Sequence, residues 1–245
     1  MVGTAKSADG TPLAYRHRPG VSPTVVFLPG YMSDMTGSKS EHLDAWATAR
    51  GEAFLRLDYS GCGASGGRFE EGTLERWRDD VLAVIAHAAP DGPLVLVGSS
   101  MGGWLMLLVA LAIPTRVAGL VGIAAAPDFT EWGTSDADRV RFEAGETIYE
   151  PSAYADTPYL TTAAFWRSGQ ANLLLDGAPI PLDCPVRLLH GQADPDVPWD
   201  VSLRLAAALR SADVQVALVK DGDHRLSRAP DLALLTATLD RLLET

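Results

Sequence analysis

Short apolar runs alternate along this chain with longer segments whose apolar positions recur at helical spacing. The runs near residues 13–17, 24–28, 53–57, 94–97, 117–124, 186–190 and 214–219 predict strands. The segments near 39–50, 74–87, 101–113, 199–209 and 231–243 predict helices. Punctuation agrees with this division: Gly51 stands after the first helix, Pro114 after the third and Pro198 just before the fourth. Strands alternating with helices imply an α/β fold, a mostly parallel central sheet flanked by helices on both faces.

One stretch breaks the rhythm. Residues 128–183 show no clear strand, only helical patches near 136–145 and 159–175. Eight of the chain's 18 aromatic residues fall between Phe129 and Trp166: Phe129, Trp132, Phe142, Tyr149, Tyr154, Tyr159, Phe165 and Trp166. The expected organisation is therefore a core of residues 1–127 and 184–245, interrupted by a small helical lid over 128–183. Pockets are largely apolar and aromatic, so Trp132, Phe142, Tyr159, Phe165 and Trp166 are the candidate substrate-lining residues.

The chemistry concentrates at Gly98-Ser99-Ser100-Met101-Gly102, a G-x-S-x-G pattern. It follows the apolar run Leu94-Val95-Leu96-Val97 and opens the helical stretch Trp104-Leu105-Met106-Leu107-Leu108. A strand turning sharply into a helix, with a serine at the apex and small residues beside it, is a nucleophile elbow. An alkyl hydroxyl is a weak nucleophile at neutral pH, so Ser100 needs a base, and the base needs an orienting carboxylate. Among the histidines, His17, His42 and His87 precede the serine, and His190 ends an apolar strand where it serves the turn through a hydrogen bond. His224 lies in the polar loop Asp221-Gly222-Asp223-His224-Arg225, after the last strand and before the final helix, and is the candidate base. The acid belongs on the loop after His190, where Asp194 and Asp196 both qualify; Asp183 and Asp223 are weaker rivals. Two backbone N–H groups should face the developing oxyanion, those of Met101 and of Tyr31 in Pro29-Gly30-Tyr31.

Composition narrows the partners. Hydrophobic residues make up 47% and charged residues 21% of the 245, as in a globular protein. The formal charge of −11 repels a phosphate backbone or an anionic membrane, so neither nucleic acid nor membrane insertion is expected. No apolar run approaches the roughly 20 residues of a membrane span. Cys62 and Cys184 lack metal-ligand spacing, and with no apolar leader or transit segment behind Met1 they read as reduced thiols of a cytoplasmic protein. Gly61-Cys62-Gly63-Ala64-Ser65-Gly66 spells a dinucleotide fingerprint, yet loop residues continue after Gly66 where a helix should open. It reads as a glycine-rich turn beside the active-site mouth. No cofactor and no metal site are expected.

With these residues in place, the chain resembles the α/β-hydrolase family. The similarity is to its branch of mitochondrial palmitoyl-protein thioesterases that also act on the acyl glucuronide of mycophenolic acid. The resemblance rests on Leu28-Pro29-Gly30-Tyr31, Asp58-Tyr59-Ser60-Gly61, Gly98–Met106, Cys184–Gly191, Val197-Pro198-Trp199 and Asp223-His224-Arg225. It implies that Asp194, rather than Asp196, completes the triad. It also implies hydrolysis of an acyl ester or thioester on a small molecule or an acylated protein, through a serine-bound acyl intermediate. A small-molecule carboxylesterase or lactonase is the alternative within the enzyme class, and a non-catalytic ligand receptor on the same fold is the alternative outside it.

Overall fold

Successive residues of a strand point to opposite faces, so a strand covered on both sides must be apolar at every position. The run Leu94–Val97 is of this kind in the computed structural model, which describes residues 2–151 and 158–244, whereas the buried strand Glu52–Leu57 also carries Arg56, ion-paired to Glu41 and Asp44. The chain begins with β1 (Gly3–Lys6), β2 (Pro12–Arg18), β3 (Val21–Leu28), α1 (Ser38–Arg50), β4 (Glu52–Leu57), α2 (Leu74–Ala88), β5 (Leu94–Ser99), α3 (Met101–Ala112) and β6 (Val117–Ile123). Next come α4 (Phe129–Trp132), α5 (Asp136–Glu143), β7 (Thr147–Glu150), β8 (Tyr159–Thr162) and α6 (Ala163–Ala171). It finishes with β9 (Val186–Gly191), α7 (Asp200–Ala208), β10 (Val214–Val219) and α8 (Ala229–Leu243).

Eight strands form one sheet in the order β1-β2-β4-β3-β5-β6-β9-β10. The β1–β2 and β2–β4 pairs are antiparallel and the other pairs are parallel. On β3, Val26 and Leu28 enter the core shared with Trp77 of α2 and Trp104 of α3. Their neighbours Val25 and Phe27 enter the opposite core with Leu43 of α1 and Leu239 of α8. Helix α3 is buried along nearly its whole length, from Met101 to Ala110, because it lies between the sheet and the segment that follows β6. There the Trp104 Nε1–H donates to the Asn172 carbonyl at 3.1 Å.

From β3 the chain pairs β4 on one side and later β5 on the other. The loops leaving β3 and β5 therefore diverge, opening a crevice at the carboxyl ends of these two strands. The architecture is the α/β sheet that the sequence implies. Two differences stand out. The stretch expected to hold no strand contains an antiparallel hairpin, with Thr147 opposite Thr162 and Glu150 opposite Tyr159. Each arm is four residues, too short to show a period, and β8 occupies the start of what reads as a helical patch. The helix begins only at Ala163, where the Thr162 hydroxyl accepts the Phe165 N–H at 3.0 Å and caps it. Strand β1 escapes the sequence reading for the same reason of length. Tyr154 lies outside the described residues.

Helix α3 approaches β3 so closely that a Cβ at Gly102 would sit 2.1 Å from the Leu28 carbonyl oxygen and 2.5 Å from that of Pro29. Both obstacles are backbone. Gly102→Ala is expected to cost about 3 kcal/mol or more in urea unfolding. An unchanged midpoint contradicts the close approach.

Candidate active site

Ser100 ends the turn from β5 into α3 with φ 53° and ψ −121°, a conformation that costs a non-glycine residue on the order of 1–3 kcal/mol. The turn is held from both sides: the Ser100 N–H donates to Ile123 at 2.9 Å, and its carbonyl accepts the N–H groups of Gly103 at 2.8 Å and Ala126 at 3.1 Å. The side chain is thereby aimed into the crevice between the loops after β3 and β5.

Two loops bring the partners. A Cβ on Gly191 would lie 2.1 Å from the Gly222 carbonyl, so only glycine lets the loop after β9 meet the loop after β10. The Ala193 N–H also donates to Gly222 at 3.0 Å. Asp223 Oδ1 accepts the Leu226 N–H at 2.9 Å, and the Leu226 side chain is buried in the core. His224 stands between these anchors. Its Nε2 lies 3.1 Å from Ser100 Oγ and its Nδ1 2.9 Å from Asp194 Oδ2. The Asp194 side chain is fully buried, and its Oδ1 accepts the N–H groups of Asp196 at 2.8 Å and Val197 at 2.9 Å.

Of the two carboxylates that chain position leaves open, the one in contact with His224 is therefore Asp194; Asp196 is exposed beside it. Asp183 pairs with Arg210 at 2.6 Å, and Asp223 serves the Leu226 turn. Asp194, Asp196 and His224 each place one ligand-type atom within 4.8 Å of the others, a spacing that could hold a metal ion, but Asp194 and His224 direct theirs at each other. Burial pushes the Asp194 carboxyl upward, and hydrogen bonds from His190 and His224 outweigh it, leaving the group far below the usual carboxylate range. Burial pushes the Cys62 thiol up to about 12, which keeps it protonated and unreactive.

Met101 and Tyr31 both line the crevice that holds Ser100. Met101 is the first residue of α3, where an N–H has no intrahelical acceptor. Neither N–H donates to a described residue. Gly30 brings the second wall close: a Cβ there would be 3.4 Å from Ser100 Cβ. The loop carrying Tyr31 is braced from beneath by the Tyr59 hydroxyl, which donates to the Pro29 carbonyl at 2.9 Å, and by Asp58 Oδ1, which accepts the Met35 N–H at 2.7 Å. The Tyr31 side chain leaves the crevice and donates its hydroxyl to the Leu160 carbonyl of β8 at 2.6 Å.

A cavity of about 540 Å³ opens on Ser100 and His224. Of the five aromatic residues singled out from sequence, Trp132, Phe142, Tyr159 and Trp166 line it, joined by Phe129 and Ile148. Phe165 does not line it. Adjacent residues of a helix point about 100° apart. Trp166 turns to the cavity and stacks on Phe142, while Phe165 turns inward against Tyr31, with ring centres 4.8 Å apart. The Gly61–Gly66 run is also absent from the cavity wall. It folds back on β2, where the Gly66 N–H donates to Pro12 at 2.8 Å, and its Ala64 N–H steadies Asp58 Oδ2 at 2.8 Å.

A serine on a strained strand-to-helix turn, in hydrogen-bond reach of a histidine from the loop after the last strand, is the arrangement of the α/β hydrolases. The "Alpha/beta hydrolase family" model matches residues 25–237, and the chain belongs to that family. Among individual proteins it is similar to the human "Palmitoyl-protein thioesterase ABHD10, mitochondrial", with 41% identity over 236 residues, 95% of this chain and 76% of the human protein. The structure of mouse "Alpha/beta hydrolase domain-containing protein 10" superposes with a TM-score of 0.91 at 38% identity, covering 100% of this chain and 98% of the mouse one. A putative hydrolase from Agrobacterium vitis S4 gives 0.90 at 39% identity, covering 99% and 97%.

The Asp194 shift makes a stability test. A carboxyl whose folded value lies below its unfolded value of 3.8 contributes stability above that value and loses it as the pH falls toward the folded one. In urea unfolding, the deficit of Asp194→Asn relative to wild type is expected to be full at neutral pH and to shrink below about pH 4. A deficit that grows on acidification contradicts the assignment.

Proposed function

We propose that this protein is a serine hydrolase that cleaves hydrophobic acyl esters and thioesters without a cofactor. The observation that carries the reading is His224, held between the Ser100 hydroxyl and the buried Asp194 carboxylate at the mouth of an aromatic cavity. Ser100 Oγ attacks the acyl carbonyl as His224 Nε2 takes its proton. The tetrahedral oxyanion is met by the N–H groups of Tyr31 and Met101. Collapse breaks the bond to the leaving oxygen or sulfur, which leaves with the proton from His224, and the acyl group remains on Ser100. Water, deprotonated by the same imidazole, adds to the acyl carbonyl, and the proton returns to Ser100 as the carboxylic acid departs. Asp194 keeps the ring in the tautomer with Nε2 free to accept.

The substrate side is read from the cavity. Phe129, Trp132, Phe142, Ile148, Tyr159 and Trp166 supply apolar walls suited to a medium or long acyl chain, and residues 128–183 serve as the lid that carries them. The name of the human relative, a palmitoyl-protein thioesterase, supports extending the reading from esters to thioesters and from small acyl donors to acylated protein.

A fluorophosphonate probe should label wild type and leave Ser100→Ala unlabelled; equal labelling of both refutes the proposal. On p-nitrophenyl esters and acyl-thioesters of increasing length, activity should persist to long chains. A sharp fall beyond short acyl groups favours a small-molecule carboxylesterase or lactonase instead. Trp132→Ala should raise KM for long-chain esters about ten- to a hundred-fold while leaving acetate turnover unchanged, since burying a large apolar side chain contributes about 1.5–3 kcal/mol. Equal effects on both substrates count against an acyl-lining role for Trp132.

A further inference from the structure

A second histidine lies behind the first. His190 is the penultimate residue of β9, is fully buried, and takes no part in the chemistry proposed above. Its Nδ1 lies 2.7 Å from the hydroxyl of Ser202 on α7, itself fully buried. Its Nε2 lies 3.0 Å from the Val197 carbonyl oxygen and 3.2 Å from Asp194 Oδ2. A carbonyl and a carboxylate can only accept, so Nε2 must carry a proton. In the neutral ring Nδ1 is then an acceptor, and the Ser202 hydroxyl is its donor. The two acceptors at Nε2 thus set the histidine's tautomer, and the serine hydroxyl satisfies Nδ1 from the side away from the active site.

This matters because of what surrounds Asp194. Its side chain has no exposed surface, so water cannot make up a missing hydrogen bond. One oxygen is held by the N–H groups of Asp196 and Val197. The other serves His224 Nδ1 and faces His190 Nε2. Rotation of a carboxylate about its last torsion is soft, and a shared oxygen can drift toward either neighbour unless both are fixed. The Val197 carbonyl and the Ser202 hydroxyl fix His190.

We propose that His190, locked by Ser202, is a positioning residue for the reaction: its Nε2, hydrogen-bonded to the Val197 carbonyl and 3.2 Å from Asp194 Oδ2, braces the carboxylate so that it meets His224 in the orientation that presents Nε2 to Ser100. The proposal rests on the triad reading of the preceding section. It differs from a role in which His190 only ties β9 to α7. A tie changes how many molecules fold correctly; a positioning residue changes the turnover of every folded molecule.

The experiment separates these. Purified full-length protein is labelled to completion with a fluorophosphonate probe to count reactive serines, and hydrolysis of a p-nitrophenyl ester is expressed per labelled site. For His190→Leu, kcat per labelled site should fall about ten- to a hundred-fold with KM nearly unchanged, the range typical when an outer hydrogen-bond partner of a functional side chain is removed. His190→Gln keeps an N–H near the Nε2 position and should recover most of the loss. Ser202→Ala, which leaves the buried Nδ1 without its donor and loosens the ring, should fall in the same direction by a smaller factor. Wild-type kcat per labelled site in both His190→Leu and Ser202→Ala, with only the labelled fraction reduced, overturns the proposal. If His190→Leu does not accumulate as folded protein, Ser202→Ala decides alone. A wild-type protein that neither labels nor hydrolyses the ester overturns the triad reading and this proposal with it, so the two failures are distinct.

Discussion

The molecule turns on one contact between two pieces of backbone. Where α3 begins, Gly102 rests on the carbonyl oxygens of Leu28 and Pro29, at a separation no side chain could survive. That contact brings the start of a deeply buried helix against the loop leaving β3. It holds Tyr31, Ser100 and Met101 around one crevice. The unfavourable backbone of Ser100 persists because everything around it is over-determined: β5 is central in the sheet, and α3 is buried along almost its whole length. Local strain is offset by the burial of the helix that follows it.

The opposite wall is built by the same means. Gly191 against Gly222 clamps two loops that lie far apart in the chain, and the clamp carries Asp194 on one side and His224 on the other. Polar groups in this region are buried and each has a partner: Asp194 takes backbone N–H groups on one oxygen and a histidine on the other, and Ser202 satisfies His190. In a low-dielectric site such a network rigidifies when complete and is costly when broken. Geometry here is supported by interlocking hydrogen bonds together with the buried side chains of Val197 and Leu226.

Most of the sheet was legible because parallel strands covered on both faces are apolar without interruption, as Leu94–Val97 shows. The meeting of Ser100 with His224 was legible because a strained turn and a terminal loop leave local signatures. What spacing could not do was choose between Asp194 and Asp196, two residues apart on one loop; the resemblance pointed to Asp194, and the direction of each side chain is a property of the fold. The hairpin of β7 and β8 was hidden by its four-residue arms, and Phe165 was misplaced because a helix sends neighbouring rings to different surroundings. The link from His190 to Asp194 left no trace beyond a histidine at a strand end, since the Ser202 that orients it arrives from another element.

The hydroxyl of Tyr31 joins two parts of the protein that differ in purpose. Its own backbone belongs to the loop beside Ser100, while its acceptor, the Leu160 carbonyl, belongs to the hairpin that lines the cavity. Burial pushes that hydroxyl up, so it stays a donor throughout the physiological range. The covering segment is therefore not a cap that can be exchanged as a module. A graft from a relative with a differently lined cavity would have to restore a carbonyl at that spot, or the loop beside the serine would lose its outer brace. Retuning selectivity by single substitutions on the cavity wall leaves this tether intact, whereas wholesale replacement of the hairpin would not.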